Sequence, residues 1–189
     1  VSPGTSQLVT NGSLTLSGTF APSALTVNAA TLDYTISGTG SITGVTGITK
    51  VGTSTATLTI ATANTFTGPV LVSGGTLVIS NSLALGGTAA GTTIQSGATM
   101  RLEGGLAVGL EALSLTGTGS SGQSGALVSA SGVNSMAGAV TLGTMATTIG
   151  VLADSLTLSG VVSGGTALTK AGAGTLFLTG TNTYTGATT

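Results

Sequence analysis

The chain has no cysteine, no histidine and no tryptophan. Without cysteine there are no disulfides and no thiolate metal sites, and without histidine the commonest metal ligand and the commonest general base are missing. Charge is almost as scarce, with three Lys or Arg and four Asp or Glu in 189 residues and a formal net charge of −1. A nucleic-acid partner would call for a basic patch, and a membrane surface for a basic amphipathic segment, and neither is present. Glu, Lys and Arg are also the residues that give amphipathic helices their charged faces, so helices of that kind are excluded. Long apolar runs are absent too. Mean hydropathy is +0.60, yet no apolar run exceeds three residues, as in Val70-Leu71-Val72. A transmembrane helix needs about 18, so no membrane insertion is expected. Val1 is not followed by the charged and apolar regions of a signal peptide, and any export signal is expected outside these residues. The lack of cysteine is compatible with an extracellular protein held together by sheet hydrogen bonds.

What remains is scattered apolar residues, abundant Thr and Ser, and 33 glycines. Thr, Val and Ile suit a pleated surface, and Gly supplies the positive φ of tight turns, so the composition predicts short strands with sharp corners. A small motif recurs in which large apolar residues at alternate positions are closed by glycine. It occurs at Leu14–Gly18, Tyr34–Gly38, Leu83–Gly86, Leu113–Gly117, Leu156–Gly160 and Leu176–Gly180. The closing glycines are commonly about twenty residues apart or a multiple of that, the period of a solenoid. The reading is an all-β fold, a parallel β-helix of roughly nine coils, with a rise of about 4.8 Å per coil and a length of about 45 Å. Side-chain parity then turns Met100 and Leu102 inward and Arg101 and Glu103 outward as a same-face pair, and turns Leu32, Tyr34 and Ile36 inward with Asp33 out. Residues 118–138 are the least patterned and are expected to form a loop or irregular coils.

Two longer blocks carry a shared grammar. In ITKVGTSTATLTIATANTFTGPVL (48–71), Lys50, Gly52, Leu58, Ile60, Asn64, Phe66 and Gly68 match Lys170, Gly172, Leu176, Leu178, Asn182, Tyr184 and Gly186 of LTKAGAGTLFLTGTNTYTGATT (168–189). A two-residue insertion before the strand of the first block is the only gap. The matched asparagines are expected to stack or to cap turns by bonding to backbone. The first block runs on into Val72-Ser73-Gly74-Gly75-Thr76. Laid after Thr189, the first residues Val1-Ser2-Pro3-Gly4-Thr5 supply the same continuation, with four identities in five. Val1, Ser2, Gly4 and Thr5 at one end, and Tyr184, Gly186, Thr188 and Thr189 at the other, are therefore the expected self-association residues. Such a head-to-tail contact does not close and propagates as a filament, made either of stacked subunits or of tandem copies in one longer chain.

The two blocks resemble the autotransporter-associated β-strand repeat of bacterial passenger domains: an apolar residue, Thr and Lys, a Gly-rich spacer, an alternating strand, Asn-Thr-Tyr/Phe-Thr-Gly, then a Val-x-x-Gly-Thr-Leu-like strand. The resemblance is strong over about a third of the chain. It implies a right-handed parallel β-helix displayed outside the cell, in a family whose members serve as stalks, adhesins and fibres and whose repeat carries no catalytic residues. The first block departs from the pattern by its expanded spacer.

Chemistry has little to work with. Polysaccharide-cleaving β-helices need clustered carboxylates or a metal with a basic partner. Here Asp33, Glu103, Glu111 and Asp154 are dispersed, and Arg101, Glu103 and Glu111 make the one charged neighbourhood. Gly172-Ala173-Gly174 lacks the following helix of a phosphate loop, and no cofactor or metal is expected. The reading is a single β-helical rod over 1–189, one unit of a longer fibre or tandem array, non-enzymatic, at the bacterial cell surface. Its expected partner is itself, head to tail. The alternative is an adhesin that binds a carbohydrate or a cell surface through exposed Thr and Ser ladders or through the irregular residues 118–138. Few titratable groups and three trypsin sites (Lys50, Arg101, Lys170) predict a rod insensitive to pH, salt and trypsin.

Overall fold

The computed structural model describes residues 12–28, 32–52 and 55–189. Every strand pairing among them is parallel and joins strands of successive turns, and no helix occurs among the described residues. The molecule is a three-sided parallel β-solenoid of about 7 turns. One side is an eight-stranded sheet running from Gly12–Leu16 to Leu168–Ala171. The second is a seven-stranded sheet from Ala24–Asn28 to Val162–Ser163. The third is shorter: Ala107–Val108, Asn134–Met136, Ser155–Leu158 and Thr175–Leu178 form four strands, and Thr19–Phe20 pairs with Ser41–Ile42 on the early turns.

The coil number is lower than the sequence period suggests because the turns are longer. Paired residues of neighbouring turns lie 24 apart at Tyr34 and Leu58 and 27 apart at Met100 and Leu127. At about 4.8 Å per turn the rod is about 34 Å long.

Alternation places the core. On the seven-stranded side, Val27, Lys50, Val72, Ile94, Leu115 and Leu142 stack one above another. On the eight-stranded side, Tyr34, Leu58, Leu77, Met100, Leu127, Ile149 and Lys170 do the same. Apart from the two lysines these columns are aliphatic or aromatic, and they pack into one continuous cluster from Leu16 to Leu168. Burying a Leu- or Ile-sized side chain contributes about 1.5–3 kcal/mol, so the columns are the main favourable term.

Of the six strand-and-glycine motifs, five form strands. Leu83–Gly86 does not: Ala84 N–H bonds Asn81 O and Gly86 N–H bonds Leu83 O, which makes a tight turn. Tyr34 and Ile36 are buried as parity requires, but Leu32 lies ahead of the strand Tyr34–Gly38 and is 47% exposed. Arg101 and Glu103 pair on the outer face at 2.8 Å. Residues 118–138 divide. The part from 127 on is regular, with strands Leu127–Ser131 and Asn134–Met136. The part before it folds into a turn held by Ser120, whose Oγ meets Thr76 Oγ1 at 3.1 Å and Thr99 Oγ1 at 3.2 Å. No helix among the described residues is long and apolar enough to cross a membrane.

Candidate interaction site

The two sequence blocks fold into the same corner, but one face apart. In the first, the lysine strand Gly47–Val51 lies on the seven-stranded side and the next strand Thr57–Ile60 on the eight-stranded side. In the second, Leu168–Ala171 lies on the eight-stranded side and Thr175–Leu178 on the four-stranded side. The repeat is thus a property of the corner chemistry and not of a particular face. The inserted residues 53 and 54 lie outside those described.

In the first copy the side chains of the predicted repeat residues are sealed, and Gly68 is half-buried. Lys50 and Phe66 are fully buried and Asn64 is 2% exposed. Lys50 points inward because its strand alternates with Ile48 also facing in. Its chain fills a core position and its ammonium ends on two carbonyls, Val51 O at 3.0 Å and Gly74 O of the next turn at 3.2 Å. Burial pushes its pKa down, against a smaller upward pull from the Asp33 carboxylate. Asp33 in turn accepts the Thr57 N–H at 2.7 Å, which holds its carboxyl below the usual range. Asn64 ties three turns together: its Oδ1 accepts Ile42 N–H of the turn before at 2.9 Å, and its Nδ2 donates to Ala84 O of the turn after at 2.9 Å. Gly68 sits flat against the Thr46 carbonyl and Gly47 N, where a Cβ has no room.

In the second copy the same side chains are in place without the next turn's full set of contacts. Lys170 donates to Ala171 O and Gly172 O of its own turn. Asn182 accepts the Val162 N–H at 2.8 Å, the equivalent of the Asn64–Ile42 bond. Leu176, Leu178 and Tyr184 are half-buried against the core. Gly186 lies against Thr166 O as Gly68 does against Thr46 O. Thr188 and Thr189 have begun a further turn, with Thr188 bridging Leu168 and Thr189 O accepting Lys170 N–H at 2.8 Å. Tyr184 Oη and Thr188 Oγ1 lie 2.8 Å apart. Val1, Ser2, Gly4 and Thr5 lie outside the described residues.

The charged neighbourhood expected around Arg101 and Glu103 does not include Glu111. That carboxyl is buried at the corner before Leu113–Leu115, where its Oε1 accepts the Thr92 hydroxyl at 2.7 Å and its Oε2 has no partner. Burial raises its pKa above the ordinary 4.5. The remaining carboxylate, Asp154, accepts Gly132 N–H at 2.9 Å across one turn. Each acid therefore serves a different local contact. Among the described residues no three His, Cys, Asp or Glu side chains gather where they could hold a metal. Burial of Lys50 and Glu111 was missed by sequence reasoning, although the parity of Gly47–Val51 already set Lys50 on the side of Ile48. A shallow cleft runs along the seven-stranded side, lined by Gly91, Ala112 and Ala139 beside Thr93, Ser114 and Thr141.

The fold and its repeated corner define a parallel β-solenoid of repeat type. Residues 48–79 and 168–189 match the model of the Passenger-associated-transport-repeat family, which supports the resemblance of these two blocks to the autotransporter-associated repeat. No curated protein and no solved structure matches the chain. A passenger-associated repeat points to a secreted or cell-surface protein.

Proposed function

We propose that the chain is a structural rod segment of an extracellular bacterial surface stalk or filament, non-enzymatic, that is lengthened end to end by parallel strand pairing. The observation that carries this reading is the repeated corner: residues 48–79 and 168–189 share one chemistry and fold onto successive faces of one parallel solenoid. Adding a turn needs no new fold, because each turn of a solenoid contacts only its neighbours. The dispersed acids, each engaged in its own hydrogen bond or ion pair, support the absence of catalysis.

Electron microscopy of the native material tests it. Long unbranched rods are expected, and isolated globular particles would overturn the reading. A denaturing gel of the same material separates stacked subunits from one giant tandem chain. A second reading, an adhesin for an extended carbohydrate, rests on the hydroxyl-lined cleft at Thr93, Ser114 and Thr141. Retention of the rod on a glycan array would favour it.

A further inference from the structure

Strand parity and burial disagree at one place on the eight-stranded side. Leu77, Met100 and Leu127 stack inward, so their strand neighbours Thr76, Val78, Thr99 and Val128 face outward. Yet Thr76 is 1% exposed, Val78 7%, and Thr99 and Val128 are fully buried, and Gly75–Ile79 is buried along its whole length. On the turn below, Thr57 and Thr59, which pair with Thr76 and Val78, are only half-buried. The outer face is therefore covered from Gly75–Ile79 upward, and the cover is the segment 117–125.

This cover is an insertion in one corner. Five residues (95–99) join Ile94 to Met100, whereas eleven (116–126) join their partners Leu115 and Leu127 in the next turn. The surplus folds back as a compact loop, with Gly117, Gly119 and Gly122 at positive φ and the Gln123 N–H bonded to Ser120 O. A Cβ on Gly119 would run into Gly125 O and Thr99 Oγ1. Hydroxyls in series hold the loop down. Thr99 donates its proton to Gly125 O at 2.8 Å and Ser120 donates its own to Thr99 at 3.2 Å, which leaves Thr76 as the donor to Ser120 at 3.1 Å. The Ser120 N–H also bonds Thr99 Oγ1 at 2.9 Å, and on the far side Gly117 O accepts the Thr148 N–H of the turn above at 3.1 Å. Hydroxyls linked in this way polarise one another.

The bond between Thr76 and Ser120 differs in kind from the rest. Strand pairings join adjacent turns, but these two residues are 44 apart, with Ala98–Glu103 between their turns. We infer that the loop 117–125 is a clasp that makes three turns open as one block. A solenoid whose turns meet only their neighbours can unzip turn by turn. Here Gly75–Ile79 cannot leave Ala98–Glu103 without also releasing Ser120, and Ser120 cannot leave without uncovering Thr99. An opening that runs along the rod is arrested at this block. The inference stands on the fold, and it holds whether the rod serves as a stalk or as an adhesin.

Native-state hydrogen exchange over a denaturant series tests it on the whole chain, since amides that open together fall on one isotherm. In the parent, the ladder amides of Gly75–Ile79, Ala98–Glu103 and Leu127–Ser131 are expected to share one. Thr76→Val keeps the shape and removes the hydroxyl, so the bond that skips a turn is lost. It is expected to spread the three strands at least tenfold in exchange rate, whereas Thr76→Ser keeps them together. Excision of residues 118–123 leaves this corner with the five residues of the turn below, and it is expected to split the strands as Thr76→Val does. A parent whose three strands are already apart, a Thr76→Val chain whose strands all speed up by one common factor, or an excised chain that still opens as one block would overturn the clasp. The loop would then be a local contact that adds stability and no coupling.

Discussion

Lys50 and Glu111 are both charged at neutral pH in an unfolded chain and both buried in the folded one. They shift in opposite directions. Burial raises the Glu111 pKa, so the native state holds a proton that the unfolded state has released. Its contribution to stability is complete below pH 4.5 and is lost as pH rises through the folded value. Burial lowers the Lys50 pKa, so the native state binds fewer protons and stability climbs as pH rises from the folded value toward 10.5. Asp33 is held low by the Thr57 hydrogen bond, and what it adds is present above 3.8 and lost as pH falls through its folded value. The pH insensitivity expected from so few titratable groups therefore gives way to a sloped profile. Glu111→Gln keeps an acceptor for the Thr92 hydroxyl and removes the charge. Thermal unfolding followed between about pH 4 and pH 8 should show the parent losing stability with rising pH and the variant losing less. A parent profile that is already flat would remove Glu111 from this role.

At the scale of the element, asparagine does the joining. Buried Asn134 accepts Leu106 N–H at 2.7 Å from the preceding turn and donates to Ser129 Oγ at 2.8 Å and Ser131 O at 3.0 Å. Asn64 is equally engaged, whereas Asn182 at the same place in the repeat bonds Val162 N–H. The two repeat positions should therefore differ in worth. Asn64→Ala leaves buried backbone groups unpaired and should cost about 2–3 kcal/mol, while Asn182→Ala should cost about 1 kcal/mol or less. Calorimetry on the two variants reads the difference, and equal losses would mean that the second copy is already as sealed as the first. The joining role of these asparagines was legible in the sequence, because an Asn at a glycine-rich corner has backbone to bond wherever the chain turns. Strand parity was equally legible at Met100, Leu102, Arg101 and Glu103. The coil number and the shift of the repeat by one face were not. Both depend on corner lengths, and a corner such as Leu83–Gly86 has the apolar spacing of a strand while its hydrogen bonds close a turn. Lys50 escaped for another reason: a lysine reads as solvated unless the carbonyls that receive its ammonium can be seen, and one of them, Gly74 O, is 24 residues away.

The whole molecule is quasi-one-dimensional, and its stability is a sum over turns and the contacts between adjacent ones. Local opening in such an array is cheapest where the fewest side chains are buried between turns. This ranks the three tryptic sites. Lys50 is wholly buried between turns, Arg101 stands with a third of its side chain exposed in the middle of the eight-stranded side, and Lys170 is half-buried on the last turn. Resistance is therefore graded along the rod. Limited proteolysis under native conditions should cut after the part-exposed Arg101 and Lys170 before Lys50, which is reached only when the whole rod unfolds, since a protease needs a stretch of backbone freed from its ladder. Cleavage at all three sites with one rate would mean that the rod opens as a single cooperative unit, and the turn-by-turn account of its growth would fail with it.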